Sequence, residues 1–287
     1  MGHRCGADVA LMWRWCATDA VLAGGVAGSD LHASGTLWRM SVPRIHVAAA
    51  LRSGLVLTLP GNAARHVQVL RLQPGAALTL FDGHGGEWMA AVLQMGRREV
   101  TATVLQAHPR DCELRCAVTL ALGMPANERM DTLVEKATEL GAAAIQPLVC
   151  ERSVLRIAGE RAERKAAHWQ AIAAAACEQC GRNRLPEIAA AQPLRDWLAG
   201  HAEIRATAAR LLLSLDVGAP ALMAHLQQIR ASQVTVLSGP EGGLSAAEQQ
   251  AAIEHGFIPV SLGPRVLRAE TAPLAALACI AALEGLL

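Results

Sequence analysis

A regular alternation of apolar strands and helical segments in the second half of the chain constrains the fold more than any other feature. LRCAVTLALGM (114–124) is typical of a buried strand, and AAIQPLVCERS (143–153) of a second one. Between them, NERMDTLVEKATELG predicts a helix that Asn127 caps and Gly141 stops. Strands separated by helices pair in parallel. The sequence therefore predicts an α/β domain with a parallel sheet, beginning near residue 111.

One strand-to-helix turn in this domain is typical of a small-molecule site. In VTVLSGPEGGLSAAEQ (234–249), a buried strand is followed by three glycines and then by a helix. Ser245 and Glu248 have the spacing of a capping box, in which the serine caps the helix and the glutamate reaches back. Open α/β sheets bind ligands at the ends of such strands, where glycines allow close backbone approach.

The ligand of this turn is not expected to be held through a phosphate. Gly239, Gly242 and Gly243 fit neither the dinucleotide nor the P-loop spacing, and the turn contains no lysine. Glu241 would also repel an anion.

A second turn follows the strand FIPVSL (257–262) and leads into the last helix. Thr271 is expected to cap this helix, and Pro273 to occupy its first turn. The turns at 238–243 and 262–268 both follow strands, and we expect them to face one pocket.

Short alternating runs between residues 44 and 105 predict a small β module before the α/β domain. Residues 40–110 carry seven basic and three acidic side chains, whereas residues 111–287 carry sixteen and nineteen. A basic first module favours docking of a polyanion, although a solvated surface explains the excess almost as well. Arg65, His66 and Arg71, on a short helical segment, are the candidates for an anionic partner.

The eight cysteines are scattered along the chain, which favours reduced thiols in a cytosol. Cys177 and Cys180 are better interpreted as buried thiols than as metal ligands. We therefore expect no metal.

Residues 1–39 differ in composition from the rest of the chain and are expected to be a disordered extension, translated from an upstream start codon. Arg14 and Asp19 interrupt their apolar stretch and exclude a membrane span there.

Six motifs together resemble one known family, the RsmE methyltransferases, which methylate uridine N3 in 16S ribosomal RNA. The motifs are SGPEGGLSAAE, SLGPRVLRAETA, EKATELG, ERS, AACEQCGRNRLPEI and HVQVLRLQPGAALTLFDG. They occur in the order of the family, at similar spacing, from about Met40 to the C-terminus.

The resemblance implies an α/β SPOUT methyltransferase domain (111–287) with a C-terminal trefoil knot, preceded by a PUA-like RNA-binding β domain (40–110). It also implies S-adenosylmethionine as methyl donor, a homodimer in the cytoplasm, and 16S rRNA, within the small ribosomal subunit, as partner. Adenosylmethionine carries a sulfonium and an ammonium group, so it suits a glycine turn with Glu241 better than a phosphate ligand does.

The site residues implied by the resemblance fall into three groups. The cofactor-binding residues are Leu237, Ser238, Gly239, Glu241, Gly242, Leu262, Gly263, Leu267 and Thr271. The RNA-binding residues are Arg44, Arg65, His66, Arg71, Arg152 and Arg182. The catalytic candidates are Arg268, Glu178 and Glu270.

The expected chemistry begins with loss of the N3 proton, because the neutral imide nitrogen has no available lone pair. Arg268 could stabilise the resulting charge on the uracil oxygens, as an oxyanion hole does. Glu178 or Glu270 could accept the proton, and the sequence does not choose between them. A salt-bridge role for Arg268, and a helix-dipole role for Glu270, stay open.

Other functions also stay open at this point. They are a SPOUT enzyme with another nucleotide or tRNA as substrate, a nucleotide-dependent oxidoreductase and a non-catalytic RNA-binding module. The apolar last helix further suggests a composite site, in which one subunit holds the donor and Arg152 of the other contacts the uridine.

Overall fold

The computed structural model describes residues 42–97, 99–155, 157–201, 208–228 and 231–285. The expected extension, residues 1–39, lies outside the described residues. Two separate β-sheets organise the described chain.

The first sheet has five strands, with one helix beside it. The strands are β1 (Arg44–His46), β2 (Val56–Thr58), β3 (Ala77–Phe81), β4 (Glu87–Met95) and β5 (Val100–His108), and the helix is α1 (Gly61–Val69). Their order is β1-β3-β4-β5-β2, with β1 parallel to β3 and the other pairs antiparallel. Val100, Ala102 and Val104 of β5 are buried at alternate positions, as a strand with one face on a core requires.

The second sheet is parallel throughout, which confirms the prediction from the strand and helix alternation. Its strands are β6 (Ala117–Gly123), β7 (Ala144–Val149), β8 (Glu187–Ile188), β9 (Gln192–Pro193), β10 (Ala208–Leu213), β11 (Gln233–Ser238) and β12 (Ile258–Val260). The order is β12-β10-β11-β6-β7-β8, and β9 also pairs with β7. This order places the ends of β10, β11 and β12 side by side.

The helices of this part are α2 (Asn127–Glu139), α3 (Glu160–Cys180), α4 (Leu194–Gly200), α5 (Leu222–Leu226), α6 (Ala246–Glu254) and α7 (Thr271–Leu283). Both faces of the sheet are covered. On β6, Leu120 and Leu122 belong to a buried cluster on one face, and Ala121 belongs to a second cluster on the other. No helix among the described residues is both long and apolar enough to span a bilayer.

The helix ends test three capping predictions. At α6 the capping box is confirmed: Glu248 N donates to Ser245 Oγ over 3.2 Å, and Ser245 N donates to Glu248 Oε2 over 2.9 Å. The other two predictions were wrong. Ala126, with an extended backbone, is the N-cap of α2, so the backbone of Asn127 is already helical. Glu270 precedes α7, so Thr271 is its first residue and makes no capping bond.

Candidate functional site

A pocket of about 330 Å³ opens where β10, β11 and β12 end. The turns after β11 and β12 both line it, which confirms that the two glycine turns face one pocket. The lining residues are Arg152, Leu212–Leu215, Ser238–Leu244, Gln249, Leu262, Gly263, Arg265–Ala269 and Ala272. Aliphatic side chains and peptide groups of the turns therefore make up most of its wall.

The turn after β11 lies tightly against the end of β6. A Cβ atom at Gly123 would lie 2.4 Å from Cδ and 2.5 Å from the backbone nitrogen of Pro240. Real Cβ contacts are essentially never so short, so no side chain fits at position 123 without movement of the turn. Gly123 therefore fixes the path of the turn.

The carboxylate of Glu241 is held by the start of α2. Its Oε1 accepts hydrogen bonds from Ala126 N over 2.9 Å and from Arg129 Nη1 over 3.3 Å. Arg129 Nε also lies 3.9 Å from Glu270 Oε1, so one arginine connects both acidic residues. Glu270 Oε2 is buried and has no hydrogen-bond partner. These contacts keep both carboxylates beside the pocket turns.

Three arginines lie around the pocket mouth. Arg152, Arg265 and Arg268 are exposed and line the cavity. Arg152 Nη1 donates to the carbonyl of Gly242 over 3.0 Å, whereas Arg265 and Arg268 have no ion-pair partner in the part of the chain that the structure describes. The mouth can therefore attract an anion, although the wall is largely uncharged.

A second cluster of charged groups joins the two sheets. Arg44 pairs with Glu87 and also donates to Asn183 Oδ1 over 2.6 Å. Next to it, Arg182 donates to both carboxylate oxygens of Glu113 and to two carbonyl oxygens near the end of α2. Because the Nη groups of Arg44 and the guanidinium of Arg182 are bonded within the protein, the cluster is a structural joint.

Two family profiles match the two parts of the chain separately. An RNA methyltransferase domain profile matches residues 112–281, and an RNA methyltransferase PUA domain profile matches residues 59–105. Ribosomal RNA small subunit methyltransferase E of Synechocystis is 39% identical over 217 residues, which cover 75% of this chain and 69% of the relative. The corresponding enzyme of Bacillus subtilis is 30% identical and matches over 78% of this chain and 88% of the relative.

Two solved structures are similar along most of the chain. The small subunit methyltransferase E of Neisseria gonorrhoeae, bound to S-adenosylmethionine, is 35% identical, with a TM-score of 0.76 over 84% of this chain and 98% of its own. A Legionella pneumophila methyltransferase, also in complex with S-adenosylmethionine, is 34% identical, with the same TM-score and coverage. This chain belongs to the RsmE family. The fold class implied by the resemblance is confirmed, and the trefoil knot stays a prediction.

The RsmE pocket of this chain fits S-adenosylmethionine by its chemistry and its size. Ligand pockets usually measure about 300–1,000 Å³ and are mostly apolar with a few polar groups. Here Leu244 and Leu262 supply apolar surface, and the glycine turns supply peptide groups. Within the wall, Glu241 is the acidic residue, and its carboxylate is paired with Arg129.

Most of the expected cofactor residues of this RsmE protein line the pocket. Those that do are Ser238, Gly239, Glu241, Gly242, Leu262, Gly263 and Leu267. Leu237 and Thr271 are not among the lining residues. Leu237 is fully buried in the core beneath the turn, so only its peptide group is a candidate for a contact.

The three catalytic candidates are separated in the RsmE fold. Arg268 lines the pocket, and Glu270 lies between two lining residues, Ala269 and Ala272. Glu178 is not in the pocket wall. It lies near the end of α3, where its Oε1 accepts a hydrogen bond from His46 N over 2.9 Å and ties α3 to β1.

The six arginine and histidine candidates for RNA binding fall into an exposed group and a group at the joint between the sheets. Arg65, His66 and Arg71 are exposed on α1 and just after it, and Arg152 is exposed at the pocket. The expectation for Arg44 and Arg182 needs correction, because both lie in the joint between the sheets. The side chain of Arg182 is only 5% exposed and that of Arg44 14%, so neither presents its guanidinium to an RNA surface.

The two helix cysteines lie at this joint rather than at the pocket. Cys177 is buried, as expected, and Cys180 is half-buried. The pKa of Cys180 is lowered to about 6, chiefly because the Cys177 thiol donates a hydrogen bond to it, and the pKa of Cys177 is raised for the same reason. Neither cysteine is among the residues that line the pocket.

Among the residues that sequence reasoning missed are two that hold the pocket turn and one that lines its mouth. Gly123 and Arg129 shape the turn from β6 and α2, and Arg265 adds a cation at the mouth. Arg265 lies in a quoted motif and could have been found there. Nothing local marks Gly123 or Arg129, because their partners lie more than a hundred positions along the chain.

Proposed function

We propose that this protein transfers the methyl group of S-adenosylmethionine to N3 of a uridine in the 16S rRNA of the small ribosomal subunit. The observation that carries the proposal is the pocket itself. Two glycine turns form a wall made mostly of peptide groups and aliphatic side chains, and Arg268 lies in that wall without an ion-pair partner among the described residues. Membership of the RsmE family supports the same reaction.

The residues that would hold the donor are those of the two turns. The peptide group of Gly239 and the N–H of Gly242 are available for its polar ends, and Leu244 and Leu262 for its apolar surface. Bound S-adenosylmethionine supplies an electrophilic methyl group on its sulfonium. Burial of this group in the pocket would exclude water from the methyl transfer.

The protein must also produce a nucleophile from uridine N3. We assign the stabilisation of negative charge on the uracil oxygens to Arg268, which lines the pocket. Glu270 is the better candidate for the proton acceptor, because it flanks the pocket and its Oε2 has no hydrogen-bond partner. Glu178 is engaged by His46 N at the joint between the sheets.

RNA would be bound at two places. Arg65, His66 and Arg71 offer a basic surface on the first domain, and Arg152 offers a cation at the pocket mouth. Contacts of this kind with phosphates position RNA without reading its sequence.

We further propose a homodimer in which the basic surface of one subunit presents RNA to the pocket of the other. Because Arg152 contacts Gly242 of its own chain, we assign the contact between subunits to the basic surface rather than to Arg152. A heterodimer tests the arrangement. One subunit carries Gly242→Val, and the other carries Arg65→Glu with Arg71→Glu. A shared site restores activity, because one pocket then has both its donor turn and the partner's intact basic surface. An inactive, folded heterodimer excludes this arrangement.

The reaction is tested with purified protein, labelled S-adenosylmethionine and small ribosomal subunits from cells that lack the gene. We expect 3-methyluridine in the digested 16S rRNA, and binding of S-adenosylmethionine but not NAD in calorimetry. A different methylated nucleotide would favour another RNA methyltransferase activity, and no methylation with either subunits or free rRNA would refute the proposal. We place the reaction in the cytoplasm, which the free thiols of the six described cysteines support.

A further inference from the structure

The carboxylate of Glu248 connects two segments that meet at the pocket. Its Oε2 accepts from Ser245 N over 2.9 Å, which completes the capping box of α6. Its Oε1 accepts from Glu151 N over 2.7 Å, across 97 positions of the chain. The capping box requires only the first of these bonds, so the second bond is an additional contact.

The second bond holds the turn that follows β7. Within this turn, Cys150 N donates to Ser153 Oγ over 3.0 Å, and Ser153 N donates to Cys150 O over 3.1 Å. The turn is therefore closed by two local bonds and joined to α6 by Glu248. Its remaining residue, Arg152, follows directly after the peptide nitrogen that Glu248 binds.

These bonds hold the backbone of Arg152 in a defined position beside the pocket. Its Nη1 donates to Gly242 O over 3.0 Å, and a Cβ at Gly242 would lie only 3.0 Å from Arg152 Cβ. The arginine thus packs against the glycine turn, with its side chain exposed at the pocket mouth. Freeing the turn would allow this long side chain to occupy many rotamers, and a phosphate contact would then cost more ordering entropy.

We propose that Glu248 is a positioning residue for RNA, which acts by holding the Arg152 turn against the donor pocket. This inference rests on the proposed function, since it assumes that Arg152 contacts RNA. A hydrogen bond to a charged acceptor is about twice as strong as a neutral one, so the carboxylate is well suited to fix a backbone nitrogen at the surface.

The substitution Glu248→Gln tests the role. Glutamine keeps the size of the side chain but replaces two charged acceptor oxygens with one neutral oxygen, so the bond to Glu151 N is weakened or lost. Ser245→Ala is the matched control, because it removes the other half of the capping box and leaves the bond to Glu151 in place. Both variants weaken the start of α6, but only Glu248→Gln weakens the bond that holds the Arg152 turn.

We expect Glu248→Gln to raise the KM for rRNA about tenfold, with kcat and the Kd for S-adenosylmethionine within about twofold of wild type. Ser245→Ala should leave the KM for rRNA near wild type. In an Arg152→Ala background, Glu248→Gln should add little further effect, because the two residues act as one unit.

An unchanged KM in Glu248→Gln would overturn the inference, as would an equal rise in Ser245→Ala or full additivity with Arg152→Ala. A wild-type enzyme that methylates no RNA would instead refute the proposed function. An active wild type with an insensitive Glu248→Gln variant refutes only the positioning role. The two failures are therefore distinguishable.

Discussion

Gly123 and Pro240 are in such close contact that a Cβ at position 123 would lie 2.4 Å from the proline Cδ. The end of β6 therefore serves as the support for the glycine turn after β11. The pocket owes its shape to this contact between the end of a strand and the turn, as well as to the glycines in the turn itself.

Gly123→Ala is expected to weaken binding of S-adenosylmethionine by about tenfold or more, because overpacking of a tight site commonly costs about 1–3 kcal/mol. Isothermal titration calorimetry measures the change. Gly61→Ala is the control, since a Cβ at Gly61 would have no atom within 4 Å. Equal affinities of Gly123→Ala and wild type would show that the turn does not depend on this contact.

Glu270→Gln is expected to lower kcat by about 10²-fold or more, the usual contribution of a general base. The Kd for S-adenosylmethionine should change little, because Glu270 is not in the pocket wall. Single-turnover methylation of rRNA gives the rate. Glu178→Gln is the matched carboxylate control and should retain nearly full kcat. The reverse order of the two variants would assign the proton acceptor to Glu178.

Arg182→Ala is expected to destabilise the protein by about 3–5 kcal/mol, because it leaves the carboxylate of Glu113 partly buried without its cation. Thermal and urea unfolding measure the loss. Arg164→Ala, on the exposed surface of α3, removes an ion pair in which both side chains are more than three-quarters exposed, and should have no measurable effect. Wild-type stability together with weakened RNA binding in Arg182→Ala would restore its role as an RNA contact.

Arg65→Glu combined with Arg71→Glu is expected to weaken rRNA binding at low salt by about tenfold or more, and to flatten its dependence on salt concentration. Both side chains are exposed, so the fold and the Kd for S-adenosylmethionine should be preserved. Filter binding at several salt concentrations gives the slope. Arg164→Glu controls for a charge reversal elsewhere on the surface. Identical slopes for wild type and the double variant would exclude phosphate contacts at α1.

Alkylation of Cys180 by iodoacetamide is expected to follow the pKa of about 6. A lowered pKa means that the thiolate forms at lower pH, so the rate should rise between about pH 5 and 7 and then level off, rather than rise near pH 8.5 as for a free cysteine. Cys112, whose pKa is raised chiefly by burial, should react later in the titration. Mass spectrometry of the labelled peptides distinguishes them.

Replacement of Cys177 by alanine provides the internal check on this assignment. It removes the thiol that hydrogen-bonds to Cys180, so the inflection of Cys180 should move to higher pH. An inflection that stays at the same pH would show that Cys177 is not the cause of the lowered pKa.

The sequence alone determined those features that depend on a few neighbouring residues. The capping box of Ser245 and Glu248 was predicted correctly, because both partners lie within one helical turn. The parallel sheet was also predictable, since buried strands and intervening helices have different hydrophobic periods. The two glycine turns could be assigned to one pocket, because both follow strands of that sheet.

Only the tertiary structure decided which distant residues meet. Arg182 and Arg152 are both arginines in family motifs, yet one is buried against Glu113 and the other lies exposed at the pocket. Arg152 and its partner Gly242 are 90 positions apart, and Gly123 and Pro240 are similarly distant. Hydrophobic periodicity specifies the strands, but the order of the strands in the sheet decides which distant residues meet. That order depends on the packing free energy of the whole core, which no local segment contains.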